Sequence, residues 1–193
     1  LKVQSSLSRP ALFMVVPTLR CDHDCHYCQV SRVTENKRGY DLEEAHIDGI
    51  LEHIDFLSNN YIKIEFQGGE PLLNFYFIKK FYVASTLKFE HKQVEFVIAT
   101  ALGPINNEML EWIEFHDIHL SVSFDGPKDI HSNNRPSKSF NSFENTVENI
   151  RLINKYFSGI SVSLLSTITK QSLEQPKQIV DSYLELGQNN LFI

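Results

Sequence analysis

"YIKIEFQGGEPLLNFYFIKKFYVASTLKF", residues 61–89, holds in one stretch the unit from which the chain is built. Its first six residues alternate as a strand with one buried face does. Residues 71–89 read as a helix, opened by Pro71, whose fixed φ suits a first helical turn. Between the two lie Gly68 and Gly69, which let a backbone approach a ligand closely or take up positive φ, and then Glu70, beside the first turn of the helix. Taken alone, such a turn is equally well an ordinary strand–helix connection.

The same alternation runs outward in both directions. "ALFMVVPTL" (11–19) is a continuous apolar run suited to a buried strand, and 41–58 follows as a helix with Leu42, Ala45, Ile50, Ile54 and Leu57 on one face. Downstream, strands are expected at 93–100, 118–124 and 160–169. Helices are expected at 106–116 behind an Asn cap, at 142–157 with a half-met capping box from Ser142 to Asn145, and at 173–187 ending at Gly187. "LFI" (191–193) would begin a sixth strand. Repeated strand–helix units imply a parallel sheet covered by helices. The expected fold is therefore α/β, a partial (β/α) barrel of about five βα units plus the start of a sixth strand. In such folds the chemistry gathers at the C-terminal ends of the strands. The first residue is Leu and the last residues read as a strand beginning, so the sequence is expected to be a core domain, 1–193, within a longer protein.

Composition narrows the setting. With 42% hydrophobic and 22% charged residues in 193, the chain can bury a core of its own and is not a disordered one. A formal charge of −6 argues against a general nucleic-acid surface. No apolar run approaches the roughly 20 residues of a membrane span, and the N-terminus does not read as a signal peptide. A cytoplasmic protein, with no nucleic acid and no membrane among its partners, is the expectation.

All three cysteines sit in "CDHDCHYC", residues 21–28, directly after the first strand. An odd number crowded into eight residues is no disulfide framework. The spacing C-x3-C-x2-C cannot lie on one helix face, so the segment must wrap as a loop. Two readings stand: a zinc site completed by His23, His26 or a distant histidine, or an iron–sulfur cluster with one iron left open. Two further strand ends carry polar signals. "SVSFDGPKDIHSNNRP" (121–136) places Ser123 and Asp125 before a tight Gly126–Pro127 turn, and then reads as a long polar loop carrying His131 and Arg135. His46, His53, His91, His116 and His119 read as surface or core residues. His23 and His26 read as flanking or solvated residues and not as ligands, and Asp22 and Asp24 as solvated.

In combination these motifs resemble the radical S-adenosylmethionine (radical SAM) enzymes. Cys21, Cys25 and Cys28 follow the first strand with Tyr27 before the last cysteine, and Gly68-Gly69-Glu70-Pro71 follow the second. The resemblance covers essentially the whole chain. It implies that the three thiolates hold three irons of a 4Fe–4S cluster while S-adenosylmethionine chelates the fourth, and that reductive cleavage of the cofactor yields a 5′-deoxyadenosyl radical that takes hydrogen from a substrate. It also implies a reductant such as flavodoxin or ferredoxin. Gly68, Gly69 and Glu70 would lie along the methionyl ammonium, which needs acceptors when buried. Tyr27 would lie near the adenine. Ser123 would contact the cofactor's carboxylate or ribose, Gln67 the cofactor or substrate, and Arg135 the methionyl carboxylate.

"SVSFDGPKDIH" with the later Arg is similar to the peptide- and protein-modifying branch related to anaerobic sulfatase maturases, and "CQVSR" (28–32) to the radical maturases of His-Xaa-Ser peptide systems. The third strand departs from relatives by ending "ATALG", which leaves contacts from that turn open. A peptide or protein substrate is thus the first reading. The alternatives are a radical enzyme of small-molecule cofactor biosynthesis and a non-enzymatic zinc-binding module. No motif assigns a catalytic acid or base.

Overall fold

The structure is a computed structural model that describes residues 11–188; the strand expected at 191–193 lies outside the described residues. Among the described residues, seven strands and six α-helices follow one another along the chain. The main sheet comprises β1 (Leu12–Thr18), β4 (Tyr61–Gly68), β5 (Gln93–Thr100), β6 (His119–Ser123) and β7 (Val162–Leu165), all parallel and in the order β1-β4-β5-β6-β7. A small parallel ribbon of β2 (Arg20–Cys21) and β3 (Val33–Thr34) stands beside it. The helices are α1 (Ile47–Leu57), α2 (Phe75–Lys88), α3 (Asn107–Phe115), α4 (Lys128–Asn134), α5 (Ser142–Tyr156) and α6 (Pro176–Glu185).

A strand order that never reverses is the topology of a barrel wall, not of a doubly wound sheet with its switch point. Side-chain alternation agrees. In β4, Ile62, Ile64 and Phe66 are fully buried, as are Ile98, Leu120, Val122 and Leu164 on the following strands. The opposite face carries Lys63, Glu65 and Gln67, then Ala99, His119, Ser121, Ser123 and Ser163, all half-buried. Helices thus cover one face, and the other stays open, mostly polar on the middle strands and apolar on β1. The core is aromatic where α2 meets the sheet: Phe66 packs edge-on against Phe81 with ring centroids 5.7 Å apart, and stacks with Phe96.

Several expectations need correction. β1 is not a buried strand: Leu12, Met14 and Val16 are exposed, because β1 is the edge of the described sheet and its inward side chains face the open side. The buried stripe of α1 is Ile47, Leu51 and Ile54, since the α-helix begins only at Ile47 after a 3-10 turn at Glu44–His46. The cap of α5 is Asn141, whose side chain accepts from the Glu144 amide at 3.1 Å, so the Ser142 hydroxyl is available for other work. β7 is only four residues long, because the chain after Leu165 turns to give the Thr167 amide to Asp125. Pro176 starts α6 three residues later than expected, and Gly187 ends it with φ of +76°.

The largest difference is α4. The segment read as a solvated polar loop is a helix whose Ile130 and His131 are fully buried. Asn106 caps α3 as expected, accepting from the Met109 amide at 3.0 Å. Among the described residues no helix is long and apolar enough to cross a membrane.

Candidate active site

The ends of β2, β4, β5 and β6 meet in a cleft of about 170 Å³. All ten residues singled out in the sequence line it. Cys21, Cys25 and Cys28 form one wall, and Gln67, Gly68, Gly69 and Glu70 a second. Tyr27, Ser123 and Arg135 complete it.

None of the three cysteines is spent in a disulfide. Cys21 ends β2, and the next two lie in a turn closed by the Cys28 amide donating to the Cys25 carbonyl at 3.2 Å. Burial pushes the thiols of Cys21 and Cys25 up; for Cys25 the charge of Arg135 acts in the opposite direction. Thiols so placed stay protonated until a metal takes the proton's place.

The cysteine loop is held from a distance in sequence. The Asp24 amide donates to the Pro136 carbonyl at 2.7 Å and the His26 amide to the Asn134 carbonyl at 3.0 Å, while the Ser137 hydroxyl donates to the Asp22 carbonyl at 2.9 Å. The end of α4 and the chain after it therefore clasp the loop along most of its length. The expectation that Asp22 is solvated is overturned here: its side chain is 3% exposed, covered by this clasp and by Gly103, where a Cβ would collide with its carboxylate.

His23 is buried as well. Its Nδ1 lies 2.7 Å from Asp22 Oδ1 and its Nε2 3.1 Å from Ser142 Oγ. Cys21, Asp22 and His23 do bring donor atoms within 4.8 Å of one another, but both imidazole nitrogens are already committed. His23 cannot complete a Cys3His zinc site without breaking a buried network. His26, the other histidine of the loop, is exposed and forms no ligand group with the cysteines among the described residues, so three soft ligands remain, a donor set that fits a cubane cluster with one open corner.

The glycines at the end of β4 have a structural reason of their own. The Gly69 amide donates to the Thr18 carbonyl at 3.0 Å and the Glu70 amide to the Arg20 carbonyl at 2.7 Å. A Cβ on Gly69 would land on that Arg20 carbonyl, and Gly68 takes φ of +126°. Close approach of Val16 and Thr18 of β1 requires the first glycine, and close approach of Leu19 and Arg20 the second.

Glu70 is buried behind the glycines. Its Oε1 accepts from Thr100 Oγ1 at 2.7 Å and the Leu72 amide at 3.2 Å, and its Oε2 from the Ala101 amide at 2.9 Å. Burial, and next the charge of Asp22, push the carboxyl up to about 8 although these three donors pull the other way. Thr100 and Ala101, in the "ATALG" turn whose contacts the sequence left open, both line the cleft and brace Glu70. Their position at the end of a barrel strand was the available signal. Gln67 donates to Glu65 Oε1 at 2.7 Å.

At the far wall Asp125, fully buried, does more than order a turn. It accepts from Tyr27 Oη at 2.6 Å, Asn134 Nδ2 at 3.2 Å and the Thr167 amide at 3.1 Å, and Arg135 Nε stands 3.2 Å away. The Arg135 guanidinium lies over the Tyr27 ring, 5.2 Å from its centroid. Arg135 thus has one edge against Asp125 and lines the cleft, the geometry of a cation presented to an anionic ligand.

Similarity to other proteins agrees with this site. A model of the Radical SAM superfamily matches residues 15–183. An uncharacterised protein of Methanothermobacter thermautotrophicus is 30% identical over 184 residues, covering 91% of this chain and 64% of the relative. A cysteine-type anaerobic sulfatase-maturating enzyme of Clostridium novyi is 23% identical over 184 residues, covering 89% of this chain and 46% of its own length. The chain therefore spans about half to two thirds of these relatives. Among solved structures, anSMEcpe with bound AdoMet superposes with a TM-score of 0.81 at 20% identity, over 94% of this chain and 51% of that one. A second anSMEcpe structure, with AdoMet and the Cp18Cys peptide, gives a TM-score of 0.80 at 20% identity, over 95% of this chain and 51% of that one. A family match spanning most of the chain makes the conclusion direct: this chain belongs to the radical SAM superfamily, whose cofactors are a 4Fe–4S cluster and S-adenosylmethionine.

Proposed function

We propose that the protein is a radical SAM enzyme that modifies a peptide or protein side chain. The observation that carries the reading is the convergence, in one cleft, of three free thiols, the Gly68–Gly69 backbone edge, Tyr27, Ser123 and Arg135. When bound, the cluster and S-adenosylmethionine supply an electron and a cleavable carbon–sulfur bond, and so a primary carbon radical for hydrogen abstraction.

The protein's part is to hold and orient. Cys21, Cys25 and Cys28 would take three irons. With His23 committed elsewhere, no protein group among the described residues would compete with the cofactor's amino and carboxylate groups for the remaining iron. The backbone at Gly68 and Gly69 would accept from the ammonium. Glu70, whose oxygens already hold three protein donors, would act mainly by bracing the turn and adding negative charge beside that ammonium. Arg135 would face the carboxylate and Ser123 the carboxylate or ribose, while Tyr27, fixed by Asp125 and Arg135, would offer a rigid edge to the adenine. Gln67, on the open polar face of the sheet, would meet the substrate or the cofactor. A reduced flavodoxin or ferredoxin is the fitting electron donor.

A peptide substrate is supported by the maturase among the relatives and by the peptide-bound anSMEcpe structure, whose fold this chain shares. The test is deuterium transfer. The reduced, reconstituted full chain is mixed with S-adenosylmethionine and perdeuterated peptides encoded beside its gene, and 5′-deoxyadenosine is analysed by mass spectrometry. One deuterium gained from a peptide is the expected result. Labelling only from small-molecule substrates would overturn the peptide assignment.

A further inference from the structure

A chain of buried polar groups joins the cysteine loop to α4 and α5, and with both histidines neutral its hydrogens can be assigned in only one sense. The Asp125 amide donates to His131 Nδ1 at 3.3 Å, so the proton of a neutral His131 sits on Nε2. That Nε2–H faces Ser142 Oγ at 3.0 Å, and the serine must accept it. The serine's own hydrogen is then free for His23 Nε2 at 3.1 Å. His23 accordingly carries its proton on Nδ1, which donates to Asp22 Oδ1 at 2.7 Å. Each donor has one acceptor, and the chain runs from a backbone amide to the carboxylate next to Cys21.

The surroundings keep it dry. His131 is fully buried, and His23 and Ser142 are 2% and 3% exposed. Phe124 and Phe143 wall His131, and Phe140 meets the His23 ring edge-on at 5.3 Å. Burial, and next the charge of Arg135, depress His131 to about 3, which keeps it neutral as the assignment requires. Nothing in helix capping needs the Ser142 hydroxyl, because Asn141 caps α5.

Resting on the function proposed above, we infer that Ser142 is a positioning residue for the iron–sulfur site: its hydroxyl, held by His131, locks His23 in the Nδ1–H form and thereby fixes Asp22 and the seat of Cys21. Outer partners of metal ligands commonly change metal affinity or activity by about 10–100-fold when removed. Packing alone would ask only for a small side chain at residue 142. The lock asks for a hydroxyl and for two histidines in opposite tautomers.

The experiment has two readouts on the full chain. First, two-bond ¹H–¹⁵N correlation spectra of the metal-free, ¹⁵N-histidine-labelled protein should show His23 protonated on Nδ1 and His131 on Nε2. In Ser142→Ala, which removes the donor to His23 Nε2 while Asp22 still faces Nδ1, the Nε2 resonance of His23 should shift. Second, reconstituted Ser142→Ala should release iron to a chelator about ten-fold faster than wild type or more, while Val147→Ala, a cavity variant on the same helix, keeps the wild-type rate. His23 protonated on Nε2 in the wild type overturns the proposal, even where Ser142→Ala fails to fold. So does unchanged iron release in Ser142→Ala, or equally fast release in Val147→Ala. A wild-type protein that takes up no iron overturns the functional reading together with this one, whereas an iron-loaded wild type with an indifferent Ser142→Ala overturns this one alone.

Discussion

Single residues at the cleft answer to two demands at once, and Gly69 separates them. Its Cβ would strike the backbone carbonyl of Arg20, which cannot swing away as a flexible side chain could. Gly69→Ala should therefore cost about 3 kcal/mol. Gly39, also a turn glycine but with open space around it and φ of +83°, should cost about 1 kcal/mol as Ala, from backbone strain alone. Urea unfolding of both variants decides, and equal costs would show that the close approach of the Arg20 carbonyl is not what Gly69 serves. At this scale the sequence was legible where chemistry sits at strand ends: cysteines, glycines, Ser123 and Arg135 all reach the cleft. Asp22 and His23 were not legible. Their neighbours are polar, and the groups that bury them lie far later in the chain, from Gly103 to Ser142.

At the scale of elements the same limit explains α4. "KDIHSNN" has weak helix formers and follows Gly-Pro, so it carries the marks of a loop. Its inward residues Ile130, His131 and Asn134 are all buried, but a seven-residue helix is too short for a periodic signal to stand out. The strand–helix units, by contrast, were readable because the helix of each repeats its period over nine or more residues. If α4 and the residues after it are the clasp on the cysteine loop, loosening the helix should loosen the loop. Ile130→Ala should cost about 2–4 kcal/mol. It should also speed hydrogen exchange at the Asp24 and His26 amides, which donate to Pro136 and Asn134. Unchanged protection at those two amides in a folded variant would mean that the loop holds itself.

For the molecule as a whole, two buried groups set opposite pH trends. His131 is depressed to about 3 from an ordinary 6.5, so the unfolded chain binds its proton first and stability from this group rises with pH between about 3 and 6.5. Glu70 is raised to about 8 from 4.5, so the folded chain holds its proton longer and stability from this group falls with pH between about 4.5 and 8. Where the two windows overlap they offset each other, and above pH 6.5 only the decline remains. The metal-free protein should lose up to about 1.4 kcal/mol per pH unit between 6.5 and 8, and Glu70→Gln should flatten that decline. A wild-type midpoint in urea that stays level from pH 6.5 to 8 would refute the assignment.

The same global view explains why the site lies where it does. One face of a five-stranded parallel sheet is covered by helices, the other stays open, and every strand end that carries chemistry opens on the same side. The central claim is that three thiolates hold a cluster whose open corner takes S-adenosylmethionine, and it is tested most directly by cofactor cleavage. The full chain is reconstituted anaerobically with iron and sulfide, reduced with dithionite, given S-adenosylmethionine and analysed for 5′-deoxyadenosine beside Cys25→Ala. Product from the wild type and none from the variant is the predicted result. A fully loaded wild type that forms no product, or a Cys25→Ala protein that forms it at the wild-type rate, would contradict the claim.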